Sequence, residues 1–119
     1  MTFINFTSHP STGWVEKQLQ AALQYGIIVD LPFPEVPEGA EEGDVKALAN
    51  QYAEQIRSSY SSQDAVVHVM GEMTFTFAFV TILKSLGYRC VASTTRRIVE
   101  IDAEGVKKVK FDFCRFREY

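Results

Sequence analysis

Residues 65–93 read AVVHVMGEMTFTFAFVTILKSLGYRCVAS and alternate short apolar runs with a long apolar segment between glycines. The short run Ala65–Met70 is typical of a strand buried in a parallel sheet. The segment Met73–Leu86 has the length of a helix and is apolar nearly all round, which predicts a helix that is deeply buried or contacts a partner. A second strand is expected at Arg89–Ser93. Strand, helix and strand in this order predict a parallel pair joined by a crossover helix.

The same alternation extends towards the N-terminus. Apolar and β-branched runs predict strands at 2–7 and 27–31, and helical spacing predicts helices at 14–25 and 45–58. Asp44 is the expected N-cap of the second of these helices, because its carboxylate would accept from the first free N–H groups. The segment 2–93 is therefore expected to follow a strand–helix alternation throughout.

After the polar loop expected at Thr94–Arg97, the pattern changes to two strands, 98–102 and 106–113, joined by Ala103-Glu104-Gly105. That spacing is typical of a β-hairpin. In its second strand, alternate residues are apolar, which predicts one packed face and one solvated face. The predicted fold is one α/β domain over residues 1–119, a Rossmann-like three-layer arrangement. Its sheet is mostly parallel and ends in a C-terminal antiparallel hairpin. An α+β sheet with more antiparallel pairing is the alternative.

Composition restricts the function. The chain has 119 residues, 46% of them hydrophobic, and a net charge of −3, which argues against a non-specific DNA or RNA binder. The N-terminal residues have no basic start and no long apolar run, so we expect a cytoplasmic protein with no membrane partner. Cys90 and Cys114 lie in apolar runs and are predicted to be buried free thiols. No metal-ligand spacing is visible, so neither a metal nor another cofactor is expected.

In open parallel sheets, ligands bind outside the carboxyl ends of the strands, where the strand order reverses. In the common strand orders this point lies between the first and third strands. The segments that follow the first, third and fourth strands are rich in hydroxyl groups, glycine or guanidinium groups, unlike the helix-to-strand connections. The candidate ligand-binding residues are Thr7, Ser8, Ser11, Thr12, Gly71, Glu72, Thr74, Thr76, Thr94, Thr95, Arg96 and Arg97. A phosphate group would suit this edge, since helix N-termini, hydroxyl groups and arginine forks all bind phosphate.

Each of these features also has a purely structural interpretation. Ser11 or Thr12 would cap the first helix, and Thr74 the third. The two arginines would form a solvated turn before the hairpin. His9 is a candidate proton carrier, although a lone histidine is more often structural. The other histidine, His68, lies inside a predicted strand and is expected to be packed.

Four stretches carry a resemblance to a known family: INFTSHPS (4–11), VVHVMGEMTFTFAFV (66–80), CVASTTRRIVE (90–100) and VKFDFCRFREY (109–119). They resemble small CRISPR-associated proteins with a Rossmann-like fold that are related to CARF domains. The resemblance implies a homodimer whose twofold axis passes beside the carboxyl ends of the strands. It also implies a ligand across that axis, a cyclic oligoadenylate, commonly cyclic tetra-adenylate.

Some stand-alone members of that family are ring nucleases, which end type III antiviral signalling by cutting the messenger without metal. The ribose 2′-hydroxyl attacks its own phosphate and leaves a cyclic phosphate end. The resemblance therefore implies catalytic roles for Ser8, Ser11 and a basic residue, either Arg96 or Arg97, and His9 could move the proton. The family's glycine-hydroxyl-lysine feature is replaced here by Gly71-Glu72-Met73-Thr74. A binding-only sensor, a partner-recruiting subunit and an unrelated nucleotide-dependent enzyme are the alternatives.

Overall fold

The computed structural model describes all 119 residues. The strands are β1 (Thr2–Thr7), β2 (Ile27–Asp30), β3 (Ala65–Met70), β4 (Arg89–Ile101) and β5 (Lys107–Glu118). The helices are α1 (Glu16–Leu23), α2 (Glu42–Ser59) and α3 (Met73–Ser85), and a single 3₁₀ turn spans Ser11–Gly13. The predicted strand–helix alternation of the first 93 residues is confirmed.

The five strands form one mixed sheet in the order β2-β1-β3-β4-β5. The first four strands pair in parallel, and β5 pairs antiparallel with β4. This confirms an α/β fold whose sheet is mostly parallel with a C-terminal antiparallel pair. β2 and β3 lie on opposite sides of β1, so the strand order reverses at β1, as predicted. Thr7 is paired with Met70, which brings the ends of β1 and β3 to the same level of the sheet.

The two faces of the sheet have different coverings. Ile4, Phe6 and Val67 face α2 and α3 and belong to the larger hydrophobic cluster. The ring of Phe6 lies 4.5 Å from that of Phe79, centre to centre. On the other face, Phe3 packs in a smaller cluster with Ala22 of α1. Each large apolar side chain buried in this way contributes roughly 1.5–3 kcal/mol to folding, so the α2–α3 face holds most of the core.

The predicted hairpin is present, because β4 and β5 pair antiparallel on either side of the turn at 102–106, but the expected loop between a fourth strand and this hairpin is wrong. β4 continues without a break from Arg89 to Ile101, so Thr94–Arg97 lies inside a strand. All four residues pair with β5, and the pairing crosses a β-bulge: Thr94 pairs with Arg115 and Thr95 with Phe113, which leaves Cys114 without a partner. Such a bulge bends the ribbon and lets a long strand leave the sheet without ending.

The outer half of the β4–β5 hairpin projects from the sheet as a two-stranded arm, formed by residues 95–101 and 107–113. Phe113, at its base, is buried, as predicted for the apolar face. Further out, Val109 and Phe111 on the same face are exposed, so the predicted packing fails there. At the tip, the Asp102 carboxylate accepts from the N–H of Glu104 and of Val106 and stabilises the turn.

Several element boundaries and one thiol differ from the prediction. α1 begins at Glu16 with Val15 as its N-cap, so neither Ser11 nor Thr12 caps it. α2 begins after Glu41, which exchanges hydrogen bonds with Asp44 in a capping box. Cys90 is buried, and burial raises its thiol pKa to about 12. Cys114 is exposed, contrary to the prediction, since the bulge excludes it from the core. None of the helices is both long and apolar enough to cross a membrane.

Candidate functional site

A cleft of about 660 Å³ lies at the carboxyl edge of the sheet, where β1, β3 and β4 meet. Its volume is in the range of clefts that hold one small organic ligand. Five of the residues predicted from the sequence line it: Thr7, Ser8, His9, Gly71 and Thr95. The prediction missed nine others: Gly13, Trp14, Val15, Gln18, His68, Met70, Ser93, Phe111 and Phe113. The lining thus combines hydroxyl groups with aromatic rings and contains no carboxylate and no lysine or arginine.

The residues predicted after β1 divide between the cleft and a neighbouring contact. Ser8 and His9 are exposed at the mouth of the cleft. Ser11 is bound instead to Asp30 of β2, which accepts from its hydroxyl at 2.9 Å and from its N–H at 3.1 Å. Thr12 lies exposed in the 3₁₀ turn. Of the candidates predicted after β1, only those nearest the strand end therefore line the cleft.

The residues predicted after β3 mostly have structural partners. Glu72, and not Thr74, is the N-cap of α3, and its carboxylate accepts from the N–H groups of Thr74 and Phe75. These hydrogen bonds hold the pKa of Glu72 below its usual value. The first donors of α3 are thus occupied by the chain's own carboxylate. Thr76 lies one turn further along and lines a separate cavity beside Phe77.

Gly71 has a packing role in addition to its place in the lining. A Cβ on this residue would lie 2.4 Å from the ring of Phe33, which is too close for any real contact. Phe33 packs against Phe6 and Phe75 on the α2–α3 face. Packing of Phe33 is thus a sufficient reason for glycine at this position.

The four residues predicted after β4 lie on alternate faces of one strand, because successive side chains of a strand point to opposite sides. Thr95 lines the cleft. Arg97 pairs with Phe111, a second lining residue, so Arg97 shares the cleft face. Thr94 and Arg96 belong to the opposite face, where Arg96 pairs with Asp112. The structure therefore separates the two arginines that the sequence treated as one cluster.

A chain of hydrogen bonds crosses three neighbouring strands beneath the cleft. The Asn5 amide nitrogen, on β1, donates to Asp30 Oδ1 of β2 at 2.8 Å and to the His9 carbonyl at 2.9 Å. With both amide hydrogens used, Asn5 Oδ1 is left to accept from the Thr7 hydroxyl at 2.9 Å and from Nδ1 of His68 at 3.0 Å. This network assigns the proton of His68 to Nδ1.

The two ionisable ends of this chain respond differently to burial. Partial burial raises the pKa of Asp30, but the hydrogen bonds from Asn5 and Ser11 together have a larger, opposite effect. The pKa of Asp30 is therefore below its usual value. His68 is buried, as the sequence predicted, and burial lowers its pKa to about 4. Its imidazole is therefore neutral at pH 7. Its Nε2 has no hydrogen-bond partner although the ring forms part of the cleft wall.

The sequence prediction did not include His68 as a functional candidate because it considered this histidine without the polar residues of the neighbouring strand. A signal was available: Asn5, Thr7 and His68 are polar residues at alternate positions of runs that are otherwise apolar. Alternation places all three on one face of the sheet, at the carboxyl half of two adjacent strands. No group of three or more histidine, cysteine, aspartate or glutamate side chains that could hold a metal ion is present.

The free energy of unfolding should fall between pH 7 and pH 5 because of His68. Its pKa is about 4 when folded and 6.5 in an unfolded chain, so the unfolded state binds more protons in that window. At 1.36 kcal/mol per pH unit, the loss attributable to this side chain is about 2 kcal/mol at pH 5. Urea unfolding of the wild type and of His68→Phe at pH 7 and at pH 5 measures this loss.

The His68→Phe variant should lack this part of the pH dependence. His9→Gln, which changes the exposed histidine, is the matched control and should keep it. An unchanged slope in His68→Phe would show that burial of this imidazole does not control acid stability.

Comparison with known proteins gives a family and no further relative. No curated protein and no solved structure matches the chain. A family model matches residues 1–117, which is nearly the whole sequence. On that match, the chain belongs to the uncharacterized protein MJ1673 family.

Proposed function

We propose that this protein binds a cyclic oligoadenylate, cyclic tetra-adenylate in the first instance, in the cleft at the end of β1 and β3. The observation that carries the proposal is the cleft itself, which lies where the strand order reverses and is lined by hydroxyl groups and aromatic rings. The sequence resemblance to CARF-related proteins supplies the ligand class. A cytoplasmic role in type III CRISPR signalling is part of the same proposal.

A Rossmann-like three-layer fold is also part of the proposal. Its support is that α1 packs on one face of the sheet through Ala22, whereas α2 and α3 pack on the other. The parallel strand order is of the kind that binds nucleotides at the point of reversal. The arm formed by the outer β4–β5 hairpin would then be an addition to such a core.

The lining combines aromatic rings with hydroxyl groups, and both kinds of group bind nucleotides. Trp14 and Phe111 offer aromatic surfaces on which a base stacks, and base–aromatic stacking contributes about 1–3 kcal/mol per base. Ser8, Ser93 and Thr95 offer hydroxyl groups to sugar or phosphate oxygens. The N-terminus of α1 opens on the same space, because Val15 lines the cleft and caps the helix without a side-chain hydrogen bond. The backbone N–H groups at the start of α1 are therefore not capped by a side chain and would suit a phosphate.

A homodimer is proposed because one cleft is small for a ring of four nucleotides. Its volume suits roughly one or two nucleotides, so a ring would need two copies of the cleft. α3 offers a surface for association. Phe75 and Phe79 are fully buried, whereas Phe77 is 77% and Met73 is 82% exposed. Large exposed apolar side chains that adjoin one another are typical of a protein interface.

Ring cleavage without metal is the second candidate function, and Ser8 and His9 at the mouth of the cleft favour it. Attack by the ribose 2′-hydroxyl on its own phosphate requires in-line geometry, which a hydroxyl such as that of Ser8 would help to fix. His9 would move the proton. Ser11 and Arg96, which the resemblance made candidates for catalytic roles, lie outside the cleft lining. Binding is therefore the better-supported function.

Cyclic tetra-adenylate should quench or shift the fluorescence of Trp14, the only tryptophan of the chain, and raise the melting temperature. The reason is that Trp14 lines the cleft and that a ligand bound only by the folded state stabilises it. Salt should weaken binding, since phosphate contacts are screened. Titrations with rings of three to six adenylates, with product analysis and with chelator added, separate binding from cleavage. No response to any ring would contradict the proposed function.

Arg97→Ala should weaken the binding of cyclic tetra-adenylate, and Arg96→Ala should leave it near the wild-type value. Arg97 shares the face of Phe111 and of the cleft, and Arg96 lies on the other face beside Asp112. A charge-assisted hydrogen bond contributes about 1.5–3 kcal/mol, so a loss of at least tenfold is expected. Because the two variants remove the same charge, equal losses would indicate a long-range effect of charge and would contradict the assigned face.

The protein should be dimeric in sedimentation or light scattering at tens of micromolar. Met73→Lys/Phe77→Lys should make it monomeric, because two cations would have to be buried against the partner. Ile27→Lys, which changes an equally exposed apolar residue on β2, is the matched control. A monomeric wild type would contradict the dimer, and a dimeric double variant would exclude this face of α3.

A further inference from the structure

The buried Nε2 atom of His68 is an unused hydrogen-bonding group in the wall of the cleft. The residue is 2% exposed, and no atom of the chain bonds Nε2. Buried polar side-chain atoms nearly always have a partner, so an orphan of this kind asks for an explanation. Its position beside a cleft of about 660 Å³ suggests that the missing partner belongs to a ligand.

The chemistry of that partner is restricted by the rest of the imidazole. Asn5 uses both of its amide hydrogens on Asp30 and on the His9 carbonyl, and so it presents only an acceptor to Nδ1 of His68. The proton is thereby held at Nδ1, and Nε2 presents a lone pair. A lone pair accepts from an O–H or N–H group and repels a phosphate oxygen. The group that meets His68 is therefore a hydrogen-bond donor.

Aromatic rings close the other sides of the imidazole. Phe3 stacks on it at 5.8 Å, and Trp14 and Phe116 meet it edge-on at 5.7 and 5.1 Å between ring centres. Phe3 and Phe116 are buried, whereas Trp14 is only half-buried. Trp14, whose indole N–H donates to the His9 carbonyl at 3.2 Å, is therefore the most exposed of the three rings around the imidazole.

We propose that His68 binds a nucleoside of the ligand by accepting a hydrogen bond at Nε2 from its ribose 2′-hydroxyl or its adenine amino group. This inference rests on the proposed function, because it takes the cleft to be the nucleotide site. This hydrogen bond would fix the orientation of the ligand in the cleft. The nucleoside lies at the floor of the cleft, and the phosphates lie towards the N-terminus of α1 and Arg97.

Nitrogen-15 NMR of the histidine side chains tests the inference directly. In the free protein, Nε2 of His68 should give the signal of an unprotonated nitrogen, and adenosine or cyclic tetra-adenylate should move it towards the hydrogen-bonded position. A proton found on Nε2 in the free protein would overturn the inference.

Two analogues identify the donor. If the shift disappears with 2′-deoxyadenosine, the 2′-hydroxyl is the donor, and if it disappears with N6,N6-dimethyladenosine, the amino group is. A shift that both analogues retain would overturn the inference. The donor would then be the 3′- or 5′-hydroxyl of the nucleoside, and in the cyclic oligoadenylate those two oxygens carry phosphate and have no proton to donate.

Affinity measurements supply the second readout. His68→Phe should bind cyclic tetra-adenylate about tenfold more weakly, as expected for the loss of one neutral hydrogen bond. It should also lose any preference for the parent ring over the ring analogue that lacks the identified donor. His68→Gln, whose side chain can place an acceptor near Nε2, should retain more affinity. Urea unfolding of both variants shows whether the folded state is intact, and unchanged affinity in folded His68→Phe would overturn the inference.

The results separate this inference from the proposed function. If adenosine moves the Nε2 signal but no cyclic oligoadenylate binds, the inference stands and the proposed function fails. If cyclic tetra-adenylate binds and neither ligand moves the signal, the proposed function stands and the inference fails. If nothing binds and nothing moves, both fail.

Discussion

The side-chain amide of Asn5 is the constraint on which the functional edge of the sheet depends. Asn5 lies on β1, between β2 and β3, in register with Asp30 on one neighbour and with His68 on the other, and it bonds both side chains. A slip of one residue would turn each of these side chains to the opposite face. The amide thus ties the register of three strands to the orientation of the imidazole that forms the cleft wall, and fold and site depend on the same hydrogen bonds.

The parts of the fold that follow local rules could be predicted from the sequence. The unit from Ala65 to Ser93 is long and periodic, and Gly71 and Gly87 bound its helix, so its strand–helix–strand character needs no tertiary information. The reversal of strand order beside β1, and hence the edge that carries the cleft, followed from the alternation of elements. The segment Thr94–Arg97 was misassigned because four polar residues resemble a loop. Only pairing with β5, through the bulge at Cys114, makes them a strand.

The same limit explains which site residues were found. Thr7, Ser8 and His9 are adjacent in sequence to a strand end, so topology alone brings them to the cleft. His68 becomes a candidate only through its hydrogen bond to Asn5, which is 63 residues away in the chain. The two arginines looked equivalent for a related reason, since the face of a side chain is undefined until its backbone is known to be extended. Local sequence therefore located the edge, whereas long-range pairing decided which side chains face it.

These placements separate neutral groups, which line the cleft, from charged groups, which lie outside the lining. The cleft wall holds a neutral imidazole, hydroxyl groups and rings. Two carboxylates outside the lining have partners of their own, since Asp30 accepts from Asn5 and Ser11 and Glu72 accepts from the first N–H groups of α3. A buried arginine or lysine would need a partner charge, and none is available in the lining. The nearest positive charge on this face is the solvent-exposed Arg97, which is two residues beyond Thr95 and opposite Phe111. If the proposed anionic ring binds here, its nucleosides would therefore lie in the cleft and its phosphates at the rim, where water and Arg97 both reach them.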